Sequence, residues 1–169
     1  MSKIVRNMED RDCEVLAAGF KEQGWNKPAE LYKEYLSEVE QGLRDAFVVE
    51  ENGELLGYVT IAWTSDFKKF VDIDVPEIKD LNVFMKHRRK GAATLLMDEA
   101  ESRIGKKSAI AGLGVGLYNG YGNAQKMYVK RGYIPTGDGI NYDGEELNYG
   151  AQVTLDDDLC LLMTKELSQ

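Results

Sequence analysis

Between Leu81 and Thr94 the chain reads Leu-Asn-Val-Phe-Met-Lys-His-Arg-Arg-Lys-Gly-Ala-Ala-Thr, a strand-like stretch that passes through a basic, glycine-containing turn into a helical one. Such a turn can hold an anion. The first amides of a helix lack partners within it and carry the positive end of the helix dipole, so a phosphate there satisfies donors and charge together. Gly91, Ala92 and Ala93 keep bulk away from the backbone, while Arg88, Arg89 and Lys90 add positive field. With Lys86 these make four positive charges around His87, in a chain whose formal net charge is −8.

The elements that must position this turn can be read from periodicity. Ile4 to Met8 reads as a strand, and Cys13, Leu16, Ala17 and Phe20 recur at helical spacing. A second helix follows Pro28, with Leu31, Tyr32, Tyr35, Leu36, Val39 and Leu43 as its apolar stripe. Ala46 to Glu50 and Leu55 to Trp63 are strand-like, joined by the hairpin signal Asn52-Gly53. Strand character returns from Ile73 to Phe84, with the better strand beginning at Glu77 after Pro76. Ala93, Leu96, Met97, Ala100 and Ile104 then give a helix that Gly105 ends. In the strand from Ala109 to Leu117, Gly112, Gly114 and Gly116 share one face, which lets something approach the backbone. Asn123 to Arg131 reads as a helix capped by Gly132, followed by a strand from Tyr133, a polar hairpin or loop from Gly137 to Asp158, and a last strand at Leu159 to Lys165. The alternation of strand and helix predicts parallel crossover units in a single domain, 1–169.

A chain of 169 residues with 43% hydrophobic and 30% charged residues matches one soluble domain. No apolar run approaches the roughly 18 residues of a membrane span, and no export signal is visible, so no membrane partner and a cytoplasmic location are expected. The acidic balance, 29 Asp and Glu against 21 Lys and Arg, argues against a nucleic-acid partner, whose phosphates it would repel. Cys13 and Cys160 stand apart with no companion ligands, so buried thiols are expected and no metal site. The turn lacks the three glycines of the dinucleotide fingerprint, and no Gly-Lys-Ser or Gly-Lys-Thr of a phosphate-binding loop occurs.

Arg88-x-x-Gly91-x-Ala93 after Leu81-x-Val83 resembles the acetyl-coenzyme A signature of the GNAT superfamily. Ala124 to Tyr133, Ala-Gln-Lys-Met-Tyr-Val-Lys-Arg-Gly-Tyr, is similar to that family's second signature, and the order of elements agrees along most of the chain. The resemblance implies a bacterial-type member with an α/β fold: a mixed central sheet of six or seven strands flanked by about four helices. It implies acetyl-CoA as co-substrate and no metal. The pyrophosphate would lie on the amides of Arg89, Lys90, Gly91, Ala92, Ala93 and Thr94 with Arg88 beside it. The pantetheine would pair with Leu81 and Val83 beside a strand bulge, and the Val83 amide is the candidate oxyanion donor. The following strand should splay away, and its glycine face would admit cofactor and acceptor.

Attack on a thioester needs a neutral amine, and a lysine-like amine has a pKa of about 10, so something must take a proton. Alternation places Glu77, Lys79, Leu81 and Val83 on one face, and Glu77 falls where the histone-acetylating branch of the family carries its base. Asp80 is the second candidate and a water relay the third; another branch uses a glutamate where this chain has Gly116. Tyr128 matches the residue that serves the departing thiolate. Tyr121 stands where the family often has an asparagine that binds pantetheine. The function implied is acetyl transfer to a primary amine of a small molecule. The alternatives are a protein N-terminal or lysine acetyltransferase and a catalytically silent acyl-CoA-binding module, and a homodimer is left open. Acidic residues at Asp138, Asp143, Glu145, Glu146 and Asp156 to Asp158 would lie beside the acceptor cleft and favour a cation.

Overall fold

In chain order the elements are β1 (Ile4–Asn7), α1 (Asp10–Glu22), α2 (Ala29–Glu40), β2 (Arg44–Glu51), β3 (Glu54–Ala62), α3 (Lys68–Asp72), β4 (Glu77–Val83), α4 (Ala92–Gly105), β5 (Ile110–Gly116), α5 (Gly122–Arg131), β6 (Ile134–Tyr142), β7 (Glu145–Glu146) and β8 (Leu159–Glu166). The computed structural model describes residues 2–168. Among these the fold is mixed α/β with eight strands and five α-helices. The elements beyond the expected number are short: α3 has 5 residues and β7 has 2. No described helix is long and apolar enough to cross a membrane.

The chain forms two compact units, Met1–Trp63 with Ile78–Arg103, and Thr64–Glu77 with Ile104–Gln169. In the first, strands follow the order β1-β2-β3-β4. The β2–β3 hairpin turns at Asn52 (φ 55°) and Gly53 (φ 81°), the left-handed pair that an Asn-Gly turn supplies. Over these strands α1 and α2 bury Cys13, Leu16, Phe20, Tyr32 and Tyr35 against Ala46, Val48, Leu55 and Tyr58. Aromatic rings dominate: Phe20 and Tyr32 meet Tyr58 edge-on at 5.8 and 5.1 Å. Each such side chain contributes roughly 1.5–3 kcal/mol by leaving water. The apolar stripe of α2 stops sooner than periodicity predicts. Val39, in the last turn, is exposed, and so is Leu43, because the helix ends at Glu40 and Gly42 (φ 75°) turns the chain out of helical phase before it.

In the second unit the order runs from Glu77 of β4 through β5, β8 and β6 to β7. Glu77 pairs parallel with Gly112, whose amide donates to the Pro76 carbonyl at 3.0 Å. Residues 73–76, expected as strand, form instead the turn that follows α3, with Asp74 left-handed (φ 53°) and Ile73 exposed. Beyond β5 the expected crossover keeps its direction, since β5 and β6 both run antiparallel to β8, but the two strands are not neighbours. The last strand, β8, lies antiparallel between β5 and β6, with Gly116 opposite Cys160 and Ile140 opposite Leu161. Residues 137–158 are only partly a loop. Past the irregularity between Pro135 and Ile140, β6 runs to Tyr142 and turns through Asp143 (φ 49°) and Gly144 (φ 83°) into β7.

Candidate functional site

The middle of β4 is not regular. Asp80 has φ 60°, a left-handed conformation that costs an ordinary L-residue roughly 1–2 kcal/mol but that aspartate tolerates better than most. One such residue reverses the alternation of side chains, so the expected common face of Glu77, Lys79, Leu81 and Val83 does not run through the strand. The Asp80 side chain fixes the irregularity. Its Oδ2 accepts from Tyr35 at 2.8 Å and Tyr58 at 2.5 Å, and its Oδ1 from Asn82 at 2.7 Å and Lys27 at 3.0 Å. Burial, and next the Asp80 charge, push both phenols well above their ordinary pKa, which keeps them donors. A carboxylate has about four acceptor positions, and these donors fill them. Asp80 therefore has no lone pair left for a substrate proton, and the second base candidate becomes a positioning group.

Beside this irregularity β3 comes close. A Cβ on Gly57 would lie 2.4 Å from the Asn82 carbonyl oxygen and 2.9 Å from the Val83 Cα. Only glycine fits there, which gives a reason for a lone glycine inside an otherwise apolar strand.

The basic turn follows directly. Arg88 is extended, Arg89 (φ 60°) and Gly91 (φ 85°) are left-handed, and a Cβ on Gly91 would meet nothing within 4 Å. The space in front of that backbone is open. The first helical bond recorded from the turn is Leu95 N–H to the Gly91 carbonyl at 3.1 Å, so the amides of Ala92, Ala93 and Thr94 precede any intrahelical bond. A shallow hollow of about 530 Å³ lined by Lys3, Lys90, Gly91 and Thr94 lies there. The positive charges are not equivalent. Lys86 and His87 both engage Glu54, at 2.8 and 3.0 Å, so the His87 ring is held by a carboxylate. Arg88 donates its Nε–H to the Val83 carbonyl at 3.2 Å and lies over the Trp25 ring at 5.4 Å. Arg89 and Lys90 are exposed. The donors, open space and charge fit a pyrophosphate. All nine expected cofactor residues, Leu81, Val83 and Arg88 to Thr94, fall in the first unit.

Glu77 and Tyr128 fall in the second unit. Glu77 is buried, and Ser65 donates its hydroxyl to Oε1 at 2.5 Å. Tyr128 is buried on α5, edge-on to Tyr133 at 5.9 Å, and burial pushes its phenol up to about 12, so it stays protonated at neutral pH. Cys160 is buried too, and its thiol is raised to about 11 by burial and by the Glu77 charge, which makes it a poor nucleophile. The glycine face of β5 differs from expectation. Its close neighbours are rings of this chain: a Cβ would lie 2.8 Å from Phe70 at Gly112, 2.8 Å from Phe67 at Gly114 and 2.2 Å from Tyr121 at Gly116. The glycines make room for aromatic packing, and Tyr121 fills the surface of Gly116.

The acidic segment is likewise engaged. Asp138 pairs with Lys69 at 3.3 Å, Asp156 accepts from Tyr142 at 2.9 Å, and Asp157 accepts from Tyr118 and Tyr121 at 3.0 and 2.9 Å. Asp156 and Asp157 tie the 147–158 stretch to its surroundings.

The model of the acetyltransferase (GNAT) family matches residues 6–133. No curated protein matches the sequence. Among solved structures, the ribosomal-protein-S18-alanine N-acetyltransferase of Escherichia coli is 15% identical with a TM-score of 0.70, covering 99% of this chain and 96% of that one. The PaiA N-acetyltransferase of Thermoplasma acidophilum, in complex with coenzyme A, is 15% identical with a TM-score of 0.67, covering 98% and 99%. A chimera of spermidine N-acetyltransferase from Vibrio cholerae and hSSAT is 18% identical with a TM-score of 0.70, covering 98% and 96%. At these identities the likeness is one of fold.

Proposed function

Because the chain belongs to the acetyltransferase (GNAT) family, we propose that it moves the acetyl group of acetyl-CoA directly to a primary amine of a small molecule. The observation that carries this reading is the turn into α4: helix amides ahead of the Leu95–Gly91 bond, open space at Gly91 and the exposed cations Arg89 and Lys90, directly after an irregular strand. In this reading the amides of Ala92 to Thr94 hold the pyrophosphate, with Arg89 and Lys90 supplying charge. Arg88 ties the turn to Val83. Leu81 and Val83 present backbone groups to the pantetheine, and the Val83 amide is the donor for the thioester oxygen. Acetyl-CoA supplies the activated acyl group.

The acceptor nitrogen forms the new C–N bond as the C–S bond breaks. Glu77 takes the proton from the attacking amine, directly or through a water, and Tyr128 gives one to the departing sulfur. The coenzyme complex of a fold relative supports the cofactor, and the spermidine enzyme among those relatives supports a small amine. Differential scanning fluorimetry with acetyl-CoA, followed by thiol detection of released coenzyme A over a panel of amines, tests the proposal. A thermal shift that weakens with salt and thiol release with at least one small amine are expected. No shift at millimolar acetyl-CoA would overturn it.

A further inference from the structure

We infer that Asp80 is the floor of a binding site for a primary ammonium group, and that in this structure the chain's own Lys27 occupies it. The two oxygens of Asp80 face different surroundings. Oδ2 is held by Tyr35 and Tyr58, both buried, and this half is a fixed part of the core. Oδ1 takes the Asn82 amide and the Lys27 ammonium, and here solvent reaches the pair: the side chains of Lys27 and Asp80 are 21% and 18% exposed. The ammonium also lies 5.9 Å from the centre of the Tyr58 ring. A carboxylate, a carboxamide and an aromatic ring around one point are a recognised arrangement for a small cation.

Lys27 is the replaceable member of the set. It sits in the connection between α1 and α2, and the left-handed backbone at Asp80 keeps three other donors without it. An ammonium that takes the place of Lys27 leaves the Asp80 carboxylate paired, so the exchange strands no part-buried charge. A ligand bearing a primary ammonium would put the same single N–H donor on Oδ1 in place of Lys27, beside the Asn82 amide. Asp80 directly precedes Leu81 to Val83, the stretch assigned above to the pantetheine, so the ammonium site stands next to the acyl donor in the chain. Its use for the acceptor rests on the proposed function. The binding itself does not.

The site takes one ammonium of a di- or polyamine, leaving a second nitrogen for acetylation; a monoamine would have to use the same group for both. Among the acidic residues expected to recognise a cation, Asp138, Asp156 and Asp157 are already paired within their own unit, and Asp80 lies outside that segment.

The test uses 1,4-diaminobutane as the probe, titrated calorimetrically into the full chain, the Lys27→Met variant and the Lys27→Met/Asp80→Asn double variant. If Lys27 fills the site for about nine tenths of the time, its removal strengthens probe binding by about tenfold. Asparagine accepts the left-handed conformation at 80, so the double variant keeps the strand, which an unchanged circular dichroism spectrum verifies, and loses the gain. Butylamine is expected to bind Lys27→Met as well, and 1,4-butanediol not at all. No gain in Lys27→Met, or a gain that survives Asp80→Asn, overturns the assignment. The thermal shift by acetyl-CoA, measured in the same variants, reports separately on the coenzyme reading: its absence in the unmodified chain removes that reading and leaves the ammonium site standing or falling on the titration.

Discussion

Arg88 donates its Nε–H to the carbonyl of Val83 across 3.2 Å, so the basic turn is tied back to the strand it has just left. The cationic cluster thereby divides into a residue that shapes the turn and residues that supply field. Arg88→Gln should weaken acetyl-CoA about tenfold, equivalent to one charge-assisted hydrogen bond of about 1.5 kcal/mol, with the salt dependence of binding largely kept. Arg89→Gln should reduce that salt dependence, because Arg89 acts through a screened charge, whereas Arg88 acts through its bond to the Val83 carbonyl. Calorimetric titrations at low and high salt separate the two, and identical salt slopes in both variants would refute the division.

Gly57 admits the backbone of β4 at Asn82 and Val83, so Gly57→Ala should cost about 1–3 kcal/mol of stability through overpacking. Because the displaced atoms belong to Asn82 and Val83, the variant should also bind acetyl-CoA less tightly at temperatures where it remains folded. Chemical denaturation and titration measure the two effects. A stable variant with unchanged binding would mean that the strand yields without consequence.

Tyr128→Phe removes the hydroxyl and leaves the ring against Tyr133. The turnover number should fall about 10²-fold, within the usual span for a proton donor, with acetyl-CoA affinity unchanged. Burial raises the phenol to about 12. The donor therefore stays loaded as pH rises, and the wild-type rate should show no alkaline decline from this group below about pH 11. A Phe variant as fast as wild type returns Tyr128 to packing alone.

Glu77→Gln keeps the oxygen to which Ser65 donates, so the fold should persist. As the base it would be needed most where the acceptor is protonated. The deficit in turnover should then shrink as pH approaches the amine pKa of about 10, where the nucleophile forms unaided. A deficit constant across the pH range would instead assign Glu77 to binding.

Local patterns determined much of this protein. The Asn52-Gly53 hairpin needs two left-handed residues that this dipeptide supplies, and the helices carry apolar spacings that only one face can bury. The turn from Arg88 to Ala93 was legible for the same reason: its amides, glycine and charges lie within a few residues of each other. What stayed hidden depends on partners far away in the chain. Asp80 reads as an ordinary acid in a strand until Lys27, Tyr35 and Tyr58, 53, 45 and 22 residues away, converge on it and hold a left-handed backbone there. Gly112, Gly114 and Gly116 announce close approach, but sequence spacing cannot tell a ligand from Phe70, Phe67 and Tyr121, the rings that come close. The place of β8 between β5 and β6 was undecided too. Strand order is chosen by burial and backbone hydrogen bonding summed over the folded chain, and no single segment carries that sum.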